Sequence, residues 1–276
     1  MVASVDASFE RVLQEATKDD GDAYWKAIDQ LRSHPAEKVW EKITPLAHHP
    51  DPQLQALVPD VLRYFPERTE DDVDRTVALL GDMLATPRIE DVIASIAAAF
   101  VDLRRPAAAV DLMLPFVGHP SAEVRRCVVH ALLGAQDPRA VAALITLSSD
   151  DDPEIRDWAT FGLGSQLGEP GAPDFVDGPT LRDALAARLD DTCDDARAEA
   201  IVGLAMRKDP RAVPAIAKEL SGGPFGSLVI EAARWAADPA LCKVLRSLAS
   251  DAKLVEEFDE EERQTLAAAL DACCKA

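Results

Sequence analysis

The sequence predicts an all-α protein, an α-solenoid built from about seven stacked helix pairs. Apolar residues recur at helical spacing, and no segment shows sustained period-two alternation with β-branched residues. Apolar residues make up 48% of the chain and aromatic residues only 5%, with Ala and Leu dominant, which favours closely packed helices. Similar segments also recur along the chain, so we expect one helical stack through nearly all of its 276 residues.

Three similar segments, which begin at 119, 150 and 191, carry the repeat. Each runs from a polar or acidic turn through an arginine into an Ala-rich helix; the arginines are Arg125, Arg156 and Arg197. They are 31 and 41 residues apart, and a Gly/Pro-rich loop at 168–173 accounts for the longer interval. A segment from His49 matches the one from His119 and places Gln55 at the arginine position.

Helix starts are predicted where an aspartate precedes a proline, at Asp137-Pro138, Asp209-Pro210 and Asp238-Pro239. The aspartate can cap the helix, and proline at the first helical position loses no hydrogen bond. Extending this pattern predicts the helix pairs 21–48, 50–85, 88–118, 120–149, 152–190, 194–221 and 224–250, with a leading helix at 4–17 and a closing helix at 254–275.

We therefore expect a single α-solenoid over 1–276. Residues 1–118 are predicted to form irregular helical repeats, 119–250 regular repeats, and 251–276 an acidic capping helix. Residues 119–250 resemble the bacterial HEAT-like repeats first recognised in phycobilisome lyases, because of the acidic turn, the Val/Ile-Arg pair and the Ala-rich first helix. The resemblance implies a protein-binding scaffold; a minority of such proteins are enzymes, among them chromophore lyases and alkylation-repair DNA glycosylases.

The net charge of −20 disfavours nucleic acid and anionic membranes as partners and fits a basic protein or peptide, although acidity also confers solubility. The first residues lack the pattern of a signal peptide, and no apolar stretch is long enough to span a bilayer. The five cysteines show no zinc-type spacing, and Cys127 and Cys242 are interpreted as buried small hydrophobes. A reducing, cytoplasmic location is expected.

The candidate binding site is a set of cations on the second helices of the last four pairs, which contain only two carboxylates, Asp183 and Glu219. We call this set the cation row: Arg139, Arg182, Arg188, Arg211, Lys218, Lys243 and Arg246. Because second helices line the concave wall of HEAT-type stacks, the cation row is a candidate groove for an acidic or phosphorylated segment. The alternative is that some of these cations only offset helix dipoles at C-terminal ends.

The recurring Arg125, Arg156 and Arg197 are candidates for a carboxylate-binding ladder. Their recurrence in every repeat favours a structural role instead, with each arginine bonded to the acidic turn of its own or a neighbouring repeat.

Other motifs favour structural interpretations. Trp158 beside Asp157 loosely resembles the groove of HEAT-like glycosylases, but Trp158 follows the core pattern. The glycine run 162–168 misses the dinucleotide-binding spacing and suggests close helix packing. Neither the turn at 48–51 nor the aspartates at 150–152 has the spacing of a metal site. No cofactor or metal is predicted.

The leading functional hypothesis is a non-catalytic scaffold or adaptor that binds a protein or peptide on its concave face, or along its acidic outer shell. The alternative is an enzyme on a HEAT-like scaffold, such as a lyase, a DNA-glycosylase-like enzyme or a biosynthetic catalyst, with its site in the groove near 156–188.

Overall fold

The computed structural model describes residues 4–18, 20–64, 69–86, 88–103, 106–222 and 226–275. Over these residues the chain is helical and contains no strand, which confirms the predicted all-α solenoid fold class. Backbone contacts group the chain into two compact units, Met1–Leu132 and Leu133–Ala276. The division falls inside the predicted pair 120–149.

The first unit is built from helices in which α2, α4, α6 and α8 pack successively against one another. Its α-helices are α1 Val5–Glu15, α2 Gly21–Arg32, α3 Ala36–Ile43, α4 Pro52–Leu62, α5 Glu70–Leu84, α6 Glu90–Leu103, α7 Pro106–Met113 and α8 Ala122–Leu132. Short 3-10 helices occupy Thr44–His48 and Leu114–Phe116.

In the second unit the helices α10, α12, α14 and α17 pack in succession, and α9, α11, α13 and α15 are the second helices of the pairs. Its α-helices are α9 Pro138–Leu147, α10 Pro153–Gly164, α11 Pro179–Ala186, α12 Asp194–Met206, α13 Ala212–Gly222, α14 Ser227–Ala236, α15 Cys242–Ser250, α16 Ala252–Glu257 and α17 Glu260–Cys274. Pro239–Leu241 is a 3-10 helix. Each predicted pair contains two helices at the expected places.

The predicted aspartate caps are present. The Asp137 carboxylate accepts a hydrogen bond from the backbone N–H of Arg139, and Asp238 caps the 3-10 helix in the same way. Asp209 also accepts from Arg211 N–H, but α13 begins only at Ala212, so the helix starts later than the sequence predicts.

The single closing helix predicted at 254–275 is wrong, because α16 and α17 are separate helices. Phe258 leaves the helical conformation with ψ 139°, and its side chain is buried. Asp259 then begins α17 with a capping box, in which its carboxylate and that of Glu262 each accept the other's backbone N–H. The local capping sequence therefore overrides the continuous apolar pattern.

The interpretation of Cys242 as a buried small hydrophobe is also wrong, because it forms a disulfide with Cys274. The last turn of α17 lies beside the start of α15, which brings together two cysteines 32 residues apart. Cys127, Cys193 and Cys273 are free thiols, and Cys127 is half-buried.

Close packing explains the glycine run at 162–168, as predicted. A Cβ on Gly203 of α12 would lie 2.7 Å from the Cα of Gly164 on α10. A Cβ on Gly164 would lie 2.7 Å from the carbonyl oxygen of Glu199. The two helices approach too closely at this point for any side chain larger than hydrogen. None of the described helices has the length and apolar character to cross a membrane.

Candidate partner-binding face

All members of the cation row lie in the second unit, on or directly beside its second helices. Arg139 is on α9, Arg182 on α11 with Arg188 just after it, Arg211 just before α13 with Lys218 on it, and Lys243 and Arg246 on α15. Ion pairs join neighbouring second helices along this row. Arg211 pairs with Asp183 of α11 at 2.7 Å, and Lys218 pairs with Asp190, which follows α11, at 2.8 Å.

Aspartates in the loops that precede the second helices neutralise much of the cation row. Arg139 binds the carboxylate of Asp137, its own helix cap, through Nε and Nη2. Arg182 binds Asp177 at 2.5 Å. The sequence pattern does not reveal this neutralisation, because Asp137 and Asp177 lie in loops and not on the second helices themselves.

Asp209 lies between two members of the cation row. It binds Arg211 at 2.8 Å and is 3.9 Å from Arg182. Its side chain is only 5% exposed, and the hydrogen bond from Arg211 lowers the pKa of its carboxyl. Arg182 likewise lowers the pKa of Asp177. This part of the row is therefore an alternating chain of arginine and aspartate.

Lys243 and Arg246 differ from the rest of the cation row. Both side chains are exposed on α15, and in the described residues neither forms an ion pair. Glu219, the other carboxylate that the sequence places on these helices, pairs at 3.0 Å with Arg197. Within the described residues, the positive charge of the row that is not neutralised by an ion pair is therefore at its α15 end.

The recurring arginines perform the same structural task in each repeat. Nη1 of Arg125, Arg156 and Arg197 donates to the backbone carbonyl six residues earlier, which belongs to His119, Asp150 and Asp191 respectively. Gln55 repeats the contact through Nε2 to the carbonyl of His49, as its sequence position predicts. We call this contact the turn clasp. It supports the structural interpretation of these residues.

The side chain at the start of each clasped turn closes the same loop from the other side. His49, His119, Asp150 and Asp191 each accept a hydrogen bond from the backbone N–H two residues later, at 2.9–3.2 Å. Histidine and aspartate are interchangeable at this position because either supplies an acceptor at the right reach. No group of His, Cys, Asp and Glu in the described residues could hold a metal ion.

A buried arginine that the sequence did not single out holds the Gly/Pro insert. The side chain of Arg207, at the end of α12, is 0% exposed. Its guanidinium donates four hydrogen bonds of 2.8–3.2 Å to the carbonyls of Leu163, Gly164, Val176 and Gly203. It also lies 5.0 Å from the ring centroid of Phe175. Burial lowers the pKa of Arg207 to about 10.

Residues 167–178 are therefore fixed against the ends of α10 and α12. The signal in the sequence was a basic residue directly after the apolar run 200–206. Such a residue at a helix C-terminus can donate to the last carbonyls of its own and a neighbouring helix.

The Trp158 region differs from the core interpretation. Ile155, Ala159 and Leu163 are fully buried, but Trp158 itself is half-buried and packs edge-on against Phe161 with ring centroids 5.7 Å apart. The adjacent Asp157 is half-buried. Burial, followed by the negative charge of nearby carboxylates, raises the pKa of Asp157.

Parts of this chain are similar to known proteins. Residues 91–164 match the protein family described as HEAT repeats. The chain is also 30% identical over 142 residues to the protein YibA of Escherichia coli strain K12, across 51% of this chain. The matched segment spans about half, 46%, of the length of YibA.

Solved structures agree on the fold. The crystal structure of E. coli YibA aligns with 99% of this chain and 93% of its own, with a TM-score of 0.79 and 19% identity. Kap121p aligns with 97% of this chain and 32% of its own, with a TM-score of 0.58 and 12% identity. Kap121p has also been solved bound to Pho4p, with a TM-score of 0.57 and 14% identity to this chain. At these identities the likeness is one of fold.

Proposed function

We propose that this protein is a non-catalytic scaffold or adaptor that binds an acidic or phosphorylated protein segment along the cation row. The observation that carries the proposal is that cations recur on or beside four successive second helices of one unit. Those of α9, α13 and α15 are exposed, and those of α11 are half-buried. Such spacing suits an extended segment that presents one acidic group to each repeat in turn.

The ion pairs within the row are compatible with binding. The side chains of Arg139 and Lys218 are 56% and 66% exposed. Exposed pairs of this kind contribute only about 0–1 kcal/mol, so an incoming carboxylate or phosphate can replace a resident aspartate at small cost. Lys243 and Arg246 offer positive charge with no exchange needed, and we expect the segment to bind there first.

The solenoid fold supports a protein partner, because the Kap121p structures include complexes with Ste12p and with Pho4p. A HEAT-type scaffold binds extended segments by contacts spread over several repeats. By analogy, we expect the affinity of this protein to be distributed along α9, α11, α13 and α15.

The test measures binding of a fluorescent polyglutamate peptide by anisotropy. The double variant Lys243→Glu/Arg246→Glu is expected to weaken binding at least tenfold, and added salt to weaken it further, because exposed ionic contacts are screened. Lys26→Glu/Lys38→Glu is the matched control with the same change in net charge, since Lys26 and Lys38 are exposed lysines of the first unit. Equal binding by both variants would refute the proposal. Preference for a polylysine peptide would instead favour the acidic outer shell as the binding surface.

One observation favours a second candidate, an enzyme of the lyase, glycosylase-like or biosynthetic type with its site near 156–188. A half-buried carboxyl with a raised pKa, such as Asp157 beside Trp158, is suited to general acid catalysis. This candidate predicts a small-molecule or modified-base ligand whose binding is lost in Asp157→Asn. Retained ligand binding in that variant would exclude Asp157 as part of such a site.

We also propose a cytoplasmic location. Three of the five cysteines are free thiols, which suits a reducing compartment. Burial raises the pKa of Cys127 to about 11, which keeps this thiol in its unreactive protonated form at neutral pH. Cell fractionation of the tagged protein would test the location, and recovery from a non-cytoplasmic fraction would overturn it.

A further inference from the structure

The Cys242–Cys274 disulfide joins the first residue of α15 to the last residue of α17, with the two Cα atoms 5.1 Å apart. The closed loop contains α15, α16 and α17. We call α16 and α17 the closing segment. The bond is therefore placed where it holds the far end of this segment against the preceding helix pair.

Few side chains of α17 are buried. Only three of its 15 residues are buried, namely Leu266, Ala269 and Cys273. In α12, nine of 13 residues are buried. The first turn of α17 carries three glutamates, and Glu261 and Glu262 line the same surface pocket as Glu231 of α14. Like charges at this contact oppose docking.

The two bonded cysteines are accessible, while their neighbour is not. Cys242 and Cys274 are partly exposed, whereas Cys273 is 1% exposed and its Sγ donates to the carbonyl of Ala233 at 3.3 Å. Burial raises the pKa of Cys273, which disfavours its thiolate. A soluble thiol can thus attack the disulfide, whereas Cys273 serves as a packing residue.

We propose that Cys242–Cys274 is a redox latch that controls whether the closing segment stays docked on α14 and α15. A dithiol reductant delivers two electrons and two protons to the bond. The S–S bond breaks, two thiols form, and the reductant becomes a disulfide. Without the covalent tether, α17, which has only three buried side chains, opens locally more often, while the other helices of the unit stay folded.

Opening would uncover the faces that α17 buries. These include Ala233 on α14, whose carbonyl accepts a hydrogen bond from Cys273 and which is 0% exposed when the segment is docked. The reduced protein would then present a new apolar surface at this end of the second unit. The latch does not rest on the proposed binding by the cation row, because hydrogen exchange tests it in the protein without any partner.

Hydrogen exchange with mass spectrometry tests the latch. In the oxidised chain, amides of 260–274 are expected to exchange slowly, and dithiothreitol should accelerate them about tenfold or more. Amides of α4 and α6 should not change. Cys242→Ser and Cys274→Ser should exchange rapidly with or without dithiothreitol, whereas Cys193→Ser, the half-buried free thiol of the same unit, should behave as the unmodified chain.

Equal exchange of 260–274 in the oxidised and reduced unmodified chain would overturn the proposal. So would alkylation of all five cysteines after mild oxidation with oxidised glutathione, because no bond would then have formed. The reductant experiment on the unmodified chain keeps the test valid even if a serine variant fails to fold.

Discussion

Arg156 donates hydrogen bonds from Nε and Nη2 to the two carboxylate oxygens of Asp191, at 2.9 and 3.0 Å, and so links the first helix of one repeat to the turn that begins the next. The side chains are 14% and 4% exposed. Arg188 binds the same carboxylate at 3.0 Å, and Arg197 clasps the Asp191 carbonyl at 2.8 Å. Asp191 is thus the point at which two repeats are fastened together.

Breaking this pair should destabilise the protein. Arg156→Ala or Asp191→Asn is expected to lower the free energy of unfolding by about 2–4 kcal/mol. Asp191→Asn leaves the mostly buried Arg156 without its counter-charge, and Arg156→Ala leaves Asp191 with only the single contact from Arg188. Urea denaturation measures the effect. The double variant should cost clearly less than the two single changes added together. Lys218→Ala is the control: its pair with Asp190 is exposed, so the loss should stay within about 1 kcal/mol, and an equal loss would contradict the argument.

The same carboxylate predicts a pH dependence. The hydrogen bond from Arg156 lowers the pKa of Asp191 below its unfolded value of about 3.9. Its stabilisation is therefore fully present above about pH 4 and is lost as the pH falls through the lowered folded pKa. Urea midpoints between pH 2 and 7 should show a smaller acid loss in Asp191→Asn than in the unmodified chain. Parallel profiles would show that Asp191 does not contribute to acid unfolding.

Arg207 should be required for the insert. Arg207→Met removes the donor from four carbonyls, and we expect a loss of about 3–5 kcal/mol in unfolding free energy. Arg207→Lys, which keeps the charge but lacks the planar fork, should recover only part of it. Limited proteolysis should show new cleavage within 168–178 in both variants. Resistance of this loop in Arg207→Met would show that other contacts suffice to hold it.

The close approach of α10 and α12 predicts an effect for a single methyl group. Gly203→Ala places a Cβ 2.7 Å from the backbone of Gly164, so the helices must separate, at a cost of about 1–3 kcal/mol. Gly222→Ala is the matched control, because a Cβ there meets nothing within 4 Å. Thermal unfolding of the two variants compares them. Similar melting temperatures would mean that the helices tolerate the displacement.

Local signals were sufficient to predict the helices and much of their arrangement. Asp137 and Asp238 cap where expected because the interaction involves neighbouring residues in the chain. The contact of Gln55 could be predicted from its alignment with the recurring arginines, because its partner, the carbonyl of His49, is only six residues earlier. At Asp259 the capping box favours a new helix start, whereas the apolar pattern favours one continuous helix. The prediction of a single closing helix was wrong because the sequence does not show which of the two signals is stronger.

Contacts between distant residues could not be predicted in the same way. In the cation row, Arg211 pairs with Asp183 and Lys218 pairs with Asp190, in each case 28 residues apart, and this pairing depends on how successive second helices are positioned. Cys242 and Cys274 come together only through the fold of three helices, and their spacing of 32 carries no signal. Arg207 was visible as a charge after an apolar run, but its four carbonyl partners come from three separate segments.

The turn clasp has a consequence for how such a chain can change in evolution. Each clasp is closed by residues no more than six positions apart, so a duplicated repeat would carry the complete device with it. Gene segments encoding whole repeats could be gained or lost without creating an unsatisfied turn. Pairs such as Arg156 with Asp191 would need to be re-formed at each new junction, and sequence drift should therefore concentrate there.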